Sequence, residues 1–170
     1  DRILSGSRDK TVRIWDAQSR KPIGMSMKGH ESWVMSVAFS HDGTRLLSGT
    51  ENGMVRLWNS QSQQPIGVPL RVHEGAVTSL ALSPDGSSFL SGTENGTLQL
   101  WNVHSMQPIG MPIKVYGGIV MSVAFSHDGS RIVSGGVDGM MRIWDVESRK
   151  PIGAAIKAYT SGVMSLSFNH

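Results

Sequence analysis

Cysteine is absent from the 170 residues. No disulfide and no thiolate metal site can form, and such a chain suits a reducing compartment, so the expected location is cytoplasmic. Phe and Tyr are scarce, four and two, against five Trp. No apolar run approaches the roughly 20 residues of a membrane-spanning helix, and no leader pattern opens the chain, so no membrane partner is expected. Charge is thin: 16 Lys and Arg against 13 Asp and Glu, net +3 at pH 7. The cations are scattered, whereas a nucleic-acid surface gathers them in a stripe, so no nucleic acid is expected as a partner. A helical period is missing throughout.

What is present is a repeat. Trp15, Trp58, Trp101 and Trp144 stand 43 residues apart, as do the Pro-Ile-Gly triplets at Pro22, Pro65, Pro108 and Pro151 and the Ser-Gly pairs at Ser5, Ser48, Ser91 and Ser134. A fixed period of this length signals one supersecondary unit repeated along the chain. The second unit reads as four short strands. Residues 33–39 carry Val34, Val37 and Phe39 in an alternation broken once, as a bulge breaks it. Asp42-Gly43 supplies a tight turn before residues 45–49, and Glu51-Asn52-Gly53 a second turn before residues 54–58. After a polar loop, Pro65 opens a last strand over 65–70, which predicts an outer, edge position because proline cannot donate to a ladder. Short strands with regular turn signals mean an all-β fold.

On these residues the units resemble WD40 repeats. The matching features are Gly29-His30, the stretch from Val34 to Gly43, Ser48-Gly49, and the closing Trp-Asp at 15–16 and 144–145, which becomes Trp-Asn at 58–59 and 101–102. The Gly-His pair is replaced by Val72-His73, Val115-Tyr116 and Ala158-Tyr159. The resemblance covers the whole chain and implies a β-propeller with four four-stranded antiparallel blades. A looser similarity is to the WD arrays of STAND-type signalling ATPases. The expected units are 1–32 (second to fourth strands of blade 1), 33–75, 76–118 and 119–161, with 162–170 an inner strand lacking its own blade. Two chains meeting head to tail would make an eight-bladed ring, each last strand completing the other's first blade; this homodimer is the favoured arrangement over an excised array or a closed four-bladed ring.

The resemblance also implies a hydrogen-bonded network in each blade. By position it would join His30, Ser48, Asn52 and Trp58; then His73, Ser91, Asn95 and Trp101; then Tyr116, Ser134, Asp138 and Trp144. Ser5, Asp9 and Trp15 would be completed by Tyr159. Ser, His and an Asp-like residue together invite a catalytic-triad reading. The cluster recurs in every unit and would point into the sheet, so it is read as structural, with no catalytic residue and no enzyme activity. His30, His41, His73, His104, His127 and His170 lack the close spacing of a metal motif, and no Gly-rich stretch carries the Gly-Lys-Ser/Thr of a phosphate loop. No metal and no cofactor are expected. Asn95-Gly96-Thr97 matches a glycosylation acceptor, expected to stay unmodified inside a buried network.

WD proteins commonly contact partners on the narrow face where inner strands begin. Outward positions there would be Trp33, Ala76, Ile119 and Gly162; Met35, Thr78, Met121 and Met164; and Arg8, Glu51, Glu94 and Val137. Trp33 is the one Trp outside the repeated set. An exposed Trp near Met side chains, rimmed by charge, has the composition of a binding hot spot. The expected function is a non-catalytic scaffold for a protein or peptide. The alternatives are a sensor module of a STAND-type ATPase and a repeat array with no present partner.

Overall fold

The computed structural model describes residues 1–115 and 117–169; Tyr116 and His170 lie outside the described residues. Among the described residues the regular structure is all strand. Blade 1 holds β1 (Arg2–Gly6), β2 (Val12–Asp16) and β3 (Pro22–Met27). Blade 2 holds β4 (Val34–Phe39), β5 (Arg45–Thr50), β6 (Met54–Asn59) and β7 (Pro65–Arg71). Blade 3 holds β8 (Val77–Leu82), β9 (Ser88–Thr93), β10 (Thr97–Asn102) and β11 (Pro108–Lys114). Blade 4 holds β12 (Val120–Phe125), β13 (Arg131–Gly136), β14 (Met140–Asp145) and β15 (Ile156–Lys157). Each sheet is an antiparallel meander in chain order, with the proline-led strand outermost in blades 1 to 3; in blade 4 Pro151 makes only an isolated bridge to Trp144 and the outer strand is the two-residue β15. The break in the inner-strand alternation is a bulge, repeated at Val34/Ser36, Val77/Ser79 and Val120/Ser122.

Alternation along each strand divides its side chains between the two neighbouring blades. Leu46 and Trp58 pack with Val12, Ile14 and Met27 between blades 1 and 2. Their strand neighbours Leu47 and Leu57 turn the other way, onto Val77, Leu80 and Phe89 of blade 3. Leu90, Leu98 and Leu100 then meet Val120, Val123 and Ile132 of blade 4. The core is thus a row of sandwiches between blades, as expected for a repeat whose single unit cannot bury its own face.

The glycine of each Ser-Gly pair makes these sandwiches close. A Cβ on Gly49 would lie 2.7 Å from Val77 Cγ1, and one on Gly92 would lie 2.7 Å from Val120 Cγ1. Gly6 meets Val34 and Gly135 meets Val163 in the same way. The recurring Ser-Gly pair is therefore a packing requirement between blades. Gly92→Ala should separate blades 3 and 4 and cost about 1–3 kcal/mol, read as a lower urea midpoint. A midpoint equal to that of the unaltered chain would show that the valine can move aside.

A second link repeats with the same period. Leu80 N–H donates to Ser36 Oγ at 2.9 Å, Val123 N–H to Ser79 Oγ at 3.1 Å and Leu166 N–H to Ser122 Oγ at 3.0 Å. The last of these places residues 162–169 where an inner strand of a following blade would lie, with Val163 3% exposed and its N–H on Gly136 O at 2.9 Å. The segment is not a strand among the described residues, because it has no ladder partner.

Candidate functional site: the intrablade network and the narrow face

In blade 2, Trp58 Nε1–H donates to Ser48 Oγ at 2.7 Å, and Ser48 Oγ lies 2.5 Å from His30 Nε2. Ser48 accepts the indole hydrogen and has no other acceptor among the described residues, so its own proton is assigned to Nε2 and the imidazole hydrogen to Nδ1. Blade 3 repeats the chain with Trp101 Nε1 to Ser91 Oγ at 2.9 Å and Ser91 Oγ to His73 Nε2 at 2.8 Å, while Ser91 has a second acceptor in Gln99 O at 3.3 Å. The Trp to Ser bond is also made by Trp15 and Ser5 at 2.8 Å and by Trp144 and Ser134 at 2.9 Å. Burial of the rings lowers the His30 and His73 pKa values from 6.5 to about 4; for His30 the positive charge of Arg56 adds to the effect. Both rings are neutral near pH 7.

In blades 2 and 3 the turn residues do not join these chains. Asn52 Oδ1 accepts the Thr50 hydroxyl at 2.7 Å, and no hydrogen bond joins Asn52 to His30. Asn95 is exposed and makes none to His73. The acceptor triplet it opens is thus on an open turn, not in a buried network. Asp9 is exposed and accepts Thr11 N–H at 3.0 Å and Thr11 Oγ1 at 2.6 Å. Tyr159, its expected partner, is 62% exposed. The pairing needs a following blade, and one chain does not bring the two residues together. Tyr116 lies outside the described residues. Asp138 accepts Arg142 Nη2–H at 2.7 Å in the one ion pair found among the described residues. Burial alone would raise the Asp138 pKa; the Arg142 bond and the Met140 amide outweigh it and hold the carboxyl below its usual range. Sequence reasoning missed Arg142. The signal was the shared spacing of Asp9 with Arg13 and Asp138 with Arg142 in the two blades that carry Asp.

At the narrow face, backbone bonds set matching positions of each blade side by side. Glu51 N–H donates to Trp33 O at 3.0 Å, Glu94 N–H to Ala76 O at 3.2 Å and Val137 N–H to Ile119 O at 3.1 Å. The three pairs differ in chemistry. In blade 2, Trp33 is 38% exposed, Arg8 of blade 1 lays its guanidinium 4.6 Å from the ring centroid, and Ser32 Oγ donates to Glu51 Oε2 at 3.1 Å. In blade 3, Ala76 is buried and Glu94 Oε1 turns back to accept its N–H at 3.0 Å. In blade 4, Ile119 and Val137 are both exposed apolar residues, at 36% and 41%. Met35 and Met164 are exposed and Met121 is half-buried. Thr78 does not fit the outward set. Its hydroxyl is half-buried and its single hydrogen is shared between Gly92 O at 3.0 Å and Val120 O, so it ties blade 3 to blade 4 instead of facing a partner.

A family profile described as "WD domain, G-beta repeat" matches residues 1–16, 21–59, 63–102 and 110–145, most of the chain. The chain belongs to the WD40 repeat family. Its WD40 repeats are similar to single repeats of larger proteins. WD repeat and SOCS box-containing protein 1 of Homo sapiens is 43% identical over 42 residues, 25% of this chain and 10% of that protein. Ribosome assembly protein 4 of Chaetomium thermophilum is 48% identical over 42 residues, 25% of this chain and 8% of that protein. Small ribosomal subunit protein RACK1 of Dictyostelium discoideum is 48% identical over 48 residues, 25% of this chain and 15% of that protein. The matched stretches thus span 8% to 15% of these relatives. Among the described residues no helix is long and apolar enough to cross a membrane.

Proposed function

We propose that this WD40 chain is a non-catalytic scaffold that docks a protein or peptide on its narrow face. The observation that carries the reading is the Trp33 indole, exposed under the Arg8 guanidinium and followed around the face by exposed Met35, Ile119, Val137 and Met164. A rigid aromatic anchor with a charged rim and soft apolar neighbours suits a peptide of mixed apolar and acidic character, the acidic groups meeting Arg8. Ser48 and Ser91 are fully buried and held by the indoles, which leaves them no access to a substrate and supports a structural role for the Ser-His pairs. The test is a displayed random-peptide library selected on the chain. Selected peptides should lose about 30-fold in affinity against Trp33→Ala, which corresponds to roughly 2 kcal/mol at a hot spot. Affinities unchanged within twofold would reject this face.

A second reading concerns assembly. The inner edge of β1 has no partner strand among the described residues, while residues 162–169 have an inner-strand position without a ladder. We propose that a second copy supplies each to the other, making a two-fold eight-bladed ring. The blade 2 register, shifted by whole repeats, sets Val163 opposite Ser7, Ser165 opposite Gly6 and Leu166 opposite Ser5 of the other copy. Tyr159 would then approach Ser5, as His30 approaches Ser48. A folded species with the mass of one 18.4 kDa chain in light scattering would overturn the ring.

A further inference from the structure

We propose that His41 and His127 form a two-imidazole site for a borderline divalent cation such as Zn²⁺, just beyond the C-terminal ends of the inner strands β4 and β12. The two residues are 86 positions apart, two whole repeats, so each stands in the turn between the first and second strands of its blade. The fold turns that distance into contact: their ring centroids lie 6.0 Å apart with planes at 73°. Both rings are exposed at the rim of a cavity of about 300 Å³. The turn of blade 3 lies between them and carries Pro84, whose Cδ is 3.5 Å from where a Cβ on Gly129 would stand.

The separation suits shared ligation. With Zn–N bonds of ~2.0–2.1 Å, two imidazoles at a tetrahedral angle place their centroids roughly 5 Å apart, within a side-chain adjustment of what is found. The electrostatics also favour a cation. Asp42 and Asp128 follow the two histidines directly, and Asp85 follows Pro84. Hydrogen bonds from Ser40, Thr44, Ser126 and Ser130 fix the first two carboxyls within their turns. Their oxygens are already engaged within the turns, so they supply field and not ligands. Among the described residues no third His, Cys, Asp or Glu completes a cluster. The ion would keep water in its remaining positions and exchange readily.

The test is calorimetric titration of the untagged chain with zinc chloride, with circular dichroism to confirm that each variant is folded. One Zn²⁺ per chain is expected, with affinity falling at least tenfold in both His41→Ala and His127→Ala and unchanged in His104→Ala. Pro84→His should tighten binding at least fivefold, because histidine already occupies that turn in blades 2 and 4 and a third imidazole would face the ion. No uptake by the unaltered chain, uptake that survives either alanine change, or a Pro84→His chain that binds no tighter would overturn the site.

Discussion

Trp58→Ala is expected to lower the unfolding free energy by about 3–5 kcal/mol, a large part of what a domain of this size holds in reserve. The indole is 1% exposed and fills the space between blades 1 and 2, against Ile14, Met27 and Leu46. Truncation would leave a cavity the width of a bicyclic ring, closed on both sides by sheets that cannot collapse independently, and would strip Ser48 of its indole donor. The repeat provides an internal control. Trp15 makes the same bond to Ser5 at 2.8 Å but is only half-buried, since no blade covers its other side in the described chain. Trp15→Ala should therefore cost clearly less than Trp58→Ala. Urea unfolding with a common slope would measure both. Equal losses at the two sites would mean that the repeated hydrogen bond, and not burial between blades, sets the value of the tryptophan.

The same contrast shows what the amino-acid sequence made legible. Most blade strands could be placed, because Gly and Asp at fixed offsets, proline at the outer strand of blades 1 to 3 and the alternation of Val34, Val37 and Phe39 each act within one unit; in blade 4 Pro151 misled, since the outer strand is only Ile156–Lys157. The bulge beside Ser36 was readable for the same reason. Interactions between units were not. Ser36, Ser79 and Ser122 recur at 43 residues as plainly as the tryptophans, yet only the stacked blades show that each hydroxyl takes an amide of the next inner strand. Thr78 looked like a variable outward position, but lies where two inner strands approach closely enough for its hydroxyl to join them. Asn52 misled through analogy: it occupies the turn position assigned to the network and turns to Thr50. His41 and His127 looked too distant for shared chemistry, because linear spacing conceals proximity between equivalent turns of alternate blades.

Acid should weaken the fold well before the carboxylates titrate. In blade 2, Ser48 accepts the indole hydrogen and gives its own to His30 Nε2, so a proton on Nε2 would leave the serine hydrogen without its acceptor. It would also place a positive ring near Arg56. His73 suffers the burial alone, and Ser91 can turn its hydrogen to Gln99 O. With folded values near 4 against 6.5 for the free side chain, the unfolded chain takes up these protons first. The contribution is therefore whole above pH 6.5, lost progressively between 6.5 and 4, and absent below that. Each pK unit is worth ~1.4 kcal/mol, and allowing for water at the ring edges the loss is about 1–2 kcal/mol per histidine. Below pH 4 a second loss begins, as Asp42 and Asp128, held at about 2 by their turn hydrogen bonds, are driven to protonate. Urea midpoints measured from pH 7.5 to 4 should fall steadily, and His30→Gln should flatten the profile more than His73→Gln. A midpoint that stays level across that range, or a double glutamine variant with the slope of the unaltered chain, would remove the two imidazoles as the cause.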